Sequence, residues 1–277
     1  VSMMTTSLAP RPANEERRAK AVIQTGLIDN PKPELFQVYC DLAKDITDFD
    51  TATFSLFDND FQCGMASAGR DDYEVGGKGE RHSNNICSYV LLSSEPLLMP
   101  DLREDPTWKN HPAILDGSSI WLGYAGFPVI NRDNYALGTL CMLHKSPKAI
   151  SETVIPLIQK ITKNIAFLLD LQTDQKQLTS EKMLEAASAF QKDFPTLSLA
   201  DFKLFLAASA GRAIDANNAD GLMSSGLLEL DAGEVILTRK GRNLQESMKI
   251  QPKPLNRIKI SGSDATEVLD EMLSKLN

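Results

Sequence analysis

The chain has 277 residues, a formal net charge of −8 and 42% apolar residues, so more than one compact core, or one core with long helical extensions, is expected. The acidic balance argues against general affinity for nucleic acid or an anionic membrane, and no apolar run approaches the roughly 18 residues that cross a bilayer. The opening Val1–Thr5 also lacks the basic-then-apolar plan of a secretory leader. A cytoplasmic location with no membrane partner is expected.

Residues 1–14 are small, polar and proline-containing, and are expected to form a disordered tail. A helix is predicted from Glu15 to Gly26. After Asn30-Pro31-Lys32-Pro33, Leu35, Tyr39, Leu42, Ala43 and Ile46 recur at helical spacing. Thr51–Phe57 alternates apolar and hydroxyl side chains, the pattern of a half-buried strand. Asp58-Asn59-Asp60 supplies turn chemistry into a hairpin partner over Phe61–Ala68. Asp71–Asn85 reads as a loop, Ile86–Leu92 as a short helix and Pro96–Met99 as a short strand. Ile120–Ile130 is apolar on both faces, which predicts a central strand, and Asn131–Asn134 turns it into an antiparallel partner over Ala136–Leu143. Glu152–Leu171 carries Val154, Leu157, Ile158, Ile161, Ile165, Leu168 and Leu169 on one helical stripe, with Ser151 as N-cap. Polar helical periodicity continues over 172–193 as a connector. The fold class is therefore α+β, an antiparallel sheet flanked by helices.

Three linked phrases carry the strongest signal. They are Asn85–Leu102, containing Ile-Cys-Ser-Tyr and Glu-Pro-Leu-Leu-Met-Pro-Asp-Leu; Asp105-Pro-Thr-Trp followed by Leu122-Gly-Tyr-Ala-Gly-Phe-Pro-Val129; and Leu137-Gly-Thr-Leu-Cys141. In this order and spacing they resemble the GAF domain, in the branch found in bacterial sensors and cyclase regulators. The resemblance covers roughly Glu34–Leu171, within a GAF-like domain set at residues 15–171. It implies small-molecule binding and signal relay, and usually no catalysis. The family often has Arg-Phe-Tyr-Ala-Gly where this chain has Leu122-Gly123-Tyr124-Ala125-Gly126, so a side chain that helps line the pocket is here a glycine.

A ligand is expected between the sheet and the irregular segment Leu102–Ser119, since long loops on rigid scaffolds concentrate binding. The candidate ligand-binding residues are Cys87, Asp101, Trp108, His111, Trp121 and Tyr124. The aromatics among them suit a mostly apolar pocket with a few polar groups, and filling core would use them equally well. Asp101, Gly126, Pro128 and Gly138 also have architectural reasons to be present. Cys87 lacks the adjacent histidine typical of chromophore-bearing family members. No lowered thiol pKa or resolving partner is visible for it, so it reads as a small buried hydrophobe. Cys40, Cys63, Cys87 and Cys141 form no CxxC pair and are expected as free thiols. His82, His111 and His144 lack metal-ligand spacing, and no nucleophile, Walker or dinucleotide motif occurs. Catalytic and metal residues are expected to be absent, and neither ligand nor cofactor can be named.

Residues 194–250 resemble a winged helix. Ser198-Leu-Ala-Asp201 opens a helix with a capping box, a second helix is predicted over Ala213–Ser225, and a hairpin turns at Asp231-Ala-Gly233. Thr238 then caps a last helix. Over Ser180–Ile250 there are 8 Lys and Arg against 10 Asp and Glu, and Asp215–Ser225 has neither Lys nor Arg, so DNA contact starts at a disadvantage. Asp215–Gly221 has the wrong spacing for a calcium loop and no closing glutamate. Residues 251–277 read as a linker and a terminal helix. The expectation is a non-enzymatic signalling protein that senses a small molecule, relays its state to a C-terminal interaction domain and forms a homodimer or meets a protein partner. The alternative is a ligand-responsive transcriptional regulator that binds DNA through the winged-helix-like region.

Overall fold

The computed structural model describes residues 7–249. Two compact units emerge, one ending at Gln177 and the other starting at Leu178. The expected linker and terminal helix over 251–277 lie outside the described residues.

The first unit is built on a six-stranded antiparallel sheet: β1 (Thr51–Phe57), β2 (Phe61–Ala68), β3 (Lys78–Glu80), β4 (Leu97–Met99), β5 (Gly123–Ile130) and β6 (Ala136–His144) in the order β3-β2-β1-β6-β5-β4. One face carries α1 (Glu15–Gln24), α2 (Gln37–Thr47) and the start of α5 (Ile155–Asp193). Its core joins Val22, Phe36, Phe54, Leu56, Phe127, Leu140, Ile158, Ile165 and Leu169. The opposite face is closed by α3 (Ile86–Val90), α4 (Pro112–Leu115) and their loops, with Val90, Met99, Leu102, Trp108, Tyr124 and Cys141 in one cluster. Strand alternation sorts the side chains: Leu140 and Met142 face the first core while Cys141 faces the second.

Several expectations need correction. β1 is buried at all seven positions, not on one face. Tyr73 reaches the Ser55 hydroxyl at 3.4 Å and donates to the Phe54 carbonyl at 3.2 Å. β5 starts at Gly123, not Ile120; as expected it is no edge strand, being paired with β6 on one side and the three-residue β4 on the other and buried at seven of its eight positions. The predicted loop 71–85 contains β3, whose Lys-Gly-Glu has no apolar pattern to announce it. In α2 the buried residues are Cys40, Ala43 and Thr47, whereas Leu42 and Ile46 are exposed. The small side chains let this helix lie close on the sheet. α5 begins at Ile155, not Glu152, because Pro156 has no amide hydrogen to donate and fits only the first turn. Leu157, expected on the buried stripe, is exposed.

Residues 7–9, placed in the expected tail, are tied down. Leu8 bridges His82, the Ala9 amide donates to the Arg81 carbonyl at 2.9 Å, and Ala9 is buried. Beneath them lies an unannounced cluster. Arg18 and Arg81 are fully buried and both grip Glu15, Arg18 through Nε at 2.8 Å and Arg81 through Nη1 at 2.5 Å. The two guanidinium groups also donate to the Phe57 and Asp58 carbonyls, so they clamp α1 onto the β1–β2 turn. Burial alone raises the Glu15 pKa, but the hydrogen bonds and charges of Arg18 and Arg81 outweigh it and leave the carboxyl below its ordinary value.

The second unit takes the last turns of α5, then α6 (Leu199–Ser209), α7 (Asp220–Ser224), a hairpin of β7 (Leu228–Asp231) and β8 (Glu234–Leu237), and α8 (Arg239–Ser247). The Ser198–Asp201 capping box forms in both directions. Thr238 caps α8 by accepting from Gly241 at 3.0 Å. Ala232 and Gly233, at φ 50° and 89°, make the left-handed pair of a tight hairpin turn. The helix expected over Ala213–Ser225 is broken: Asp215 accepts from the Asn217 amide at 3.0 Å and starts a separate 3-10 turn, Ala216–Asn218. Phe190, Phe205, Leu222 and Leu227 are the fully buried centre of this unit's core.

Candidate functional site

The covered face of the sheet brings α3 against β5 and β6. Asn85 caps α3, accepting weakly from the Ser88 amide at 3.3 Å, and its amide nitrogen donates to Gln62 Oε1 at 2.8 Å. That cap places Cys87 over the sheet. The β5–β6 register sets Gly126 opposite Cys141 and Tyr124 opposite Leu143, so the Tyr124 ring lies alongside Gly126. A Cβ at Gly126 would meet the Tyr124 hydroxyl and Val90 Cγ2, both at 2.5 Å. The glycine therefore makes room for the phenol.

The Tyr124 hydroxyl ends between two thiols, 3.4 Å from Cys87 Sγ and 3.1 Å from Cys141 Sγ. Cys141 donates in turn to Thr139 Oγ1 at 3.2 Å. The thiols differ in environment. Cys141 is buried and Cys87 only half-buried. The Cys141 thiol, as hydrogen-bond partner, is the largest influence holding the Cys87 pKa below its ordinary value; burial opposes it, and Tyr124 and Gln62 reinforce it. Burial drives the Cys141 pKa well up, and the neighbouring Cys87 adds to the rise. Burial likewise keeps the Tyr124 phenol protonated. Cys87 packs against the apolar cluster as its sequence suggests, and sheet register adds what the sequence does not show, a second thiol, Cys141, on the same Tyr124 hydroxyl.

The six candidates part company. Cys87, Trp108 and Tyr124 share one apolar cluster, with Tyr89 edge-on to Trp108 at 5.1 Å. His111 lies beside Trp108 at 6.1 Å, but its ring serves the backbone. Nδ1 accepts from the Ala113 amide at 3.1 Å and caps α4, so Nε2 carries the proton toward the Asn84 carbonyl at 3.2 Å. Asp101 closes on Arg103, accepting from its amide at 3.0 Å and its Nε at 2.9 Å. Those Arg103 bonds lower the Asp101 pKa against the opposing effect of burial. Trp121 is half-buried outside the cluster, held by Ser119 through its backbone. Val90, Met99, Leu102 and Trp108 pack in one buried cluster between the sheet and the segment that starts at Leu102. An open groove of about 350 Å³ lies on the other side of β5, lined by Ser94, Pro96, Pro128, Gln159, Thr162 and Lys163 among others. Among the described residues, no group of three or more His, Cys, Asp and Glu could hold a metal, and no helix is long and apolar enough to cross a membrane.

The sheet is closed on one side by helices and on the other by a short helix and loops, which fixes the fold class as α+β. The sequence model of the GAF domain family matches residues 30–170, just over half of the chain. The chain belongs to that family. It is 24% identical over 155 residues to a cyclic di-GMP phosphodiesterase of Pseudomonas aeruginosa, a match covering 56% of this chain and 25% of that protein. The chain thus aligns with about a quarter of that relative's length. Among solved structures it is similar to the GAF domain of an Acinetobacter phosphoenolpyruvate-protein phosphotransferase, at 17% identity and TM-score 0.43, over 57% of this chain and 93% of that one. It is also similar to a domain of a putative two-component sensor histidine kinase of Sinorhizobium meliloti, at 16% identity and TM-score 0.42, over 55% and 99% of the two chains.

Proposed function

We propose that the chain is a non-catalytic signalling protein whose GAF domain responds to a small molecule and passes its state through α5 to the second unit. One observation carries this reading. α5 is a single helix, and its early residues Ile158, Ile165 and Leu169 belong to the sheet core, while its late residues Ala186 and Phe190 belong to the core of the second unit. A shift of the helix on the sheet is felt at its far end, because packed helices move as units. The non-catalytic reading is supported by the use already made of the polar candidates: His111 caps a helix and Asp101 holds Arg103. The likeness to the phosphodiesterase has the length of a single sensing domain, so this reading assigns it to that domain.

The second unit is read as a winged-helix-like interaction module that meets protein, with the functional form a homodimer. Its short α7, Asp-Gly-Leu-Met-Ser, offers no cation to a phosphate backbone. Native mass spectrometry of the purified protein, compared with its denatured mass, is expected to reveal a retained small molecule. Sedimentation at micromolar concentration is expected to show a dimer. A strictly monomeric, ligand-free protein would count against sensing by this route. Salt-sensitive, sequence-specific binding to DNA would replace the protein-contact reading with that of a transcriptional regulator.

A further inference from the structure

The paired thiols at Tyr124 have no part in the relay, and their arrangement points to chemistry of their own. We propose that Cys87 and Cys141 form a peroxide-responsive thiol pair, with Cys87 the attacking sulfur, Cys141 the resolving sulfur and Tyr124 the positioning residue between them. The geometry carries this. One hydroxyl reaches both sulfurs, at 3.4 and 3.1 Å, so the two thiols share a single site although 54 positions separate them in the chain. Cys87 is half-buried as a residue and Cys141 is buried, so Cys87 is the nearer of the two to solvent. The Tyr124 hydroxyl donates to Cys87 and favours its thiolate, the reactive form. Cys141 keeps its proton, shared with Thr139 Oγ1 at 3.2 Å.

The chemistry balances with a peroxide as oxidant. The Cys87 thiolate attacks one peroxide oxygen, the O–O bond breaks, and the leaving oxygen departs as water or an alcohol after taking a proton. Cys87 is then a sulfenic acid. The Cys141 sulfur attacks that sulfur, an S–S bond forms, and hydroxide leaves as water with the Cys141 proton. Two electrons pass from the thiol pair to the peroxide, and a cellular dithiol reverses the change by exchange. A disulfide requires the two Cα atoms within about 4.4–6.8 Å of each other, and closing it ends the hydrogen bond that the Tyr124 hydroxyl gives to the Cys87 sulfur. Trp108 packs in the same cluster and reports the change by its fluorescence.

The molecule contains its own controls. Burial raises the Cys40 pKa to about 12 and the Cys63 pKa to about 11, so neither competes for peroxide. The test treats the native, reduced protein with hydrogen peroxide, blocks remaining thiols with an alkylating agent and maps the peptides by mass spectrometry. The expected result is a mass lower by two hydrogens, a Cys87–Cys141 cross-linked peptide, and full alkylation of Cys40 and Cys63 after denaturation. In Cys141→Ser the sulfenic acid persists and is trapped by a dimedone probe. In Tyr124→Phe, loss of the hydrogen bond to Cys87 raises its pKa, so less of it is thiolate and it oxidises more slowly than in the wild-type protein at the same pH. Four alkylatable thiols after peroxide treatment of the wild-type protein would overturn the proposal. So would a cross-link through Cys40 or Cys63, or sulfinic acid at Cys87 without any cross-link.

Discussion

At the scale of single residues, charge burial and backbone proximity set the sharpest constraints. Glu15 is the shared carboxylate partner of two guanidinium groups that have no exposure. Removing one partner of a buried ion pair costs about 3–5 kcal/mol, because the remaining charge stays desolvated. Glu15→Gln is expected to lower the unfolding free energy by that much, read as a lower urea midpoint, with Arg81 penalised because burial already depresses its pKa. The pH dependence has a definite sign. The folded Glu15 pKa lies below its ordinary value of 4.5, so its contribution is fully present above 4.5 and drains away as pH falls through the lower folded value. Wild type and Glu15→Gln should therefore converge in stability in acid; equal slopes of stability against pH would refute the linkage. Gly138 gives a second case. A Cβ there would stand 2.2 Å from the Ser55 carbonyl oxygen, where β1 runs beside β6 with Leu56 opposite Gly138. The obstacle is backbone, which cannot swing aside. Gly138→Ala is expected to cost about 1–3 kcal/mol by overpacking, read as a fall in melting temperature with an unchanged far-ultraviolet spectrum at low temperature.

At the scale of elements, legibility followed the local physics. β1 and β2 were readable to the residue because alternation and Asp-Asn-Asp turn chemistry are local signals. The Ser198 capping box was readable for the same reason, and Ser198→Ala should destabilise α6 by about 1 kcal/mol, seen as faster amide exchange over Leu199–Ser209 alone. β3 was invisible because three exposed residues without apolar alternation pair only through the backbone of Phe61–Cys63. The site was half legible. Cys87, Trp108 and Tyr124 could be named from their residue types, but their partner Cys141 could not. It meets Tyr124 only because the bulge at Val129/Ile130 and the β5–β6 pairing fix which face of β6 it occupies. A one-residue slip would send Cys141 to the helical core and Leu140 or Met142 to the phenol. His111 and Asp101 have hydrogen bonds that the sequence does not announce, because side chains able to bind a ligand can equally satisfy their own loop's backbone.

At the scale of the whole molecule, the two hydrophobic cores share no residue, and all four cysteines lie in the first unit. That separation makes the thiols a native gauge of one unit while the other is perturbed. Phe205 is fully buried, with its ring 5.8 Å from Phe190, and Phe205→Ala should cost the second unit about 3–5 kcal/mol through lost burial and a residual cavity. If the units unfold independently, amide protection over α6–α8 falls by that amount. Alkylation of Cys40 and Cys63, which requires opening of the sheet core, then keeps its wild-type rate. If α5 instead couples the units into one cooperative transition, both thiols react faster in proportion to the lost stability. The relay reading requires an intermediate outcome. The late turns of α5, around Ala186 and Phe190, lose protection with the second unit, while its early turns, around Ile158 and Ile165, stay protected with the sheet. A helix whose two ends respond separately can still transmit a shift along its axis, whereas one that melts throughout when either end is weakened cannot hold a signal.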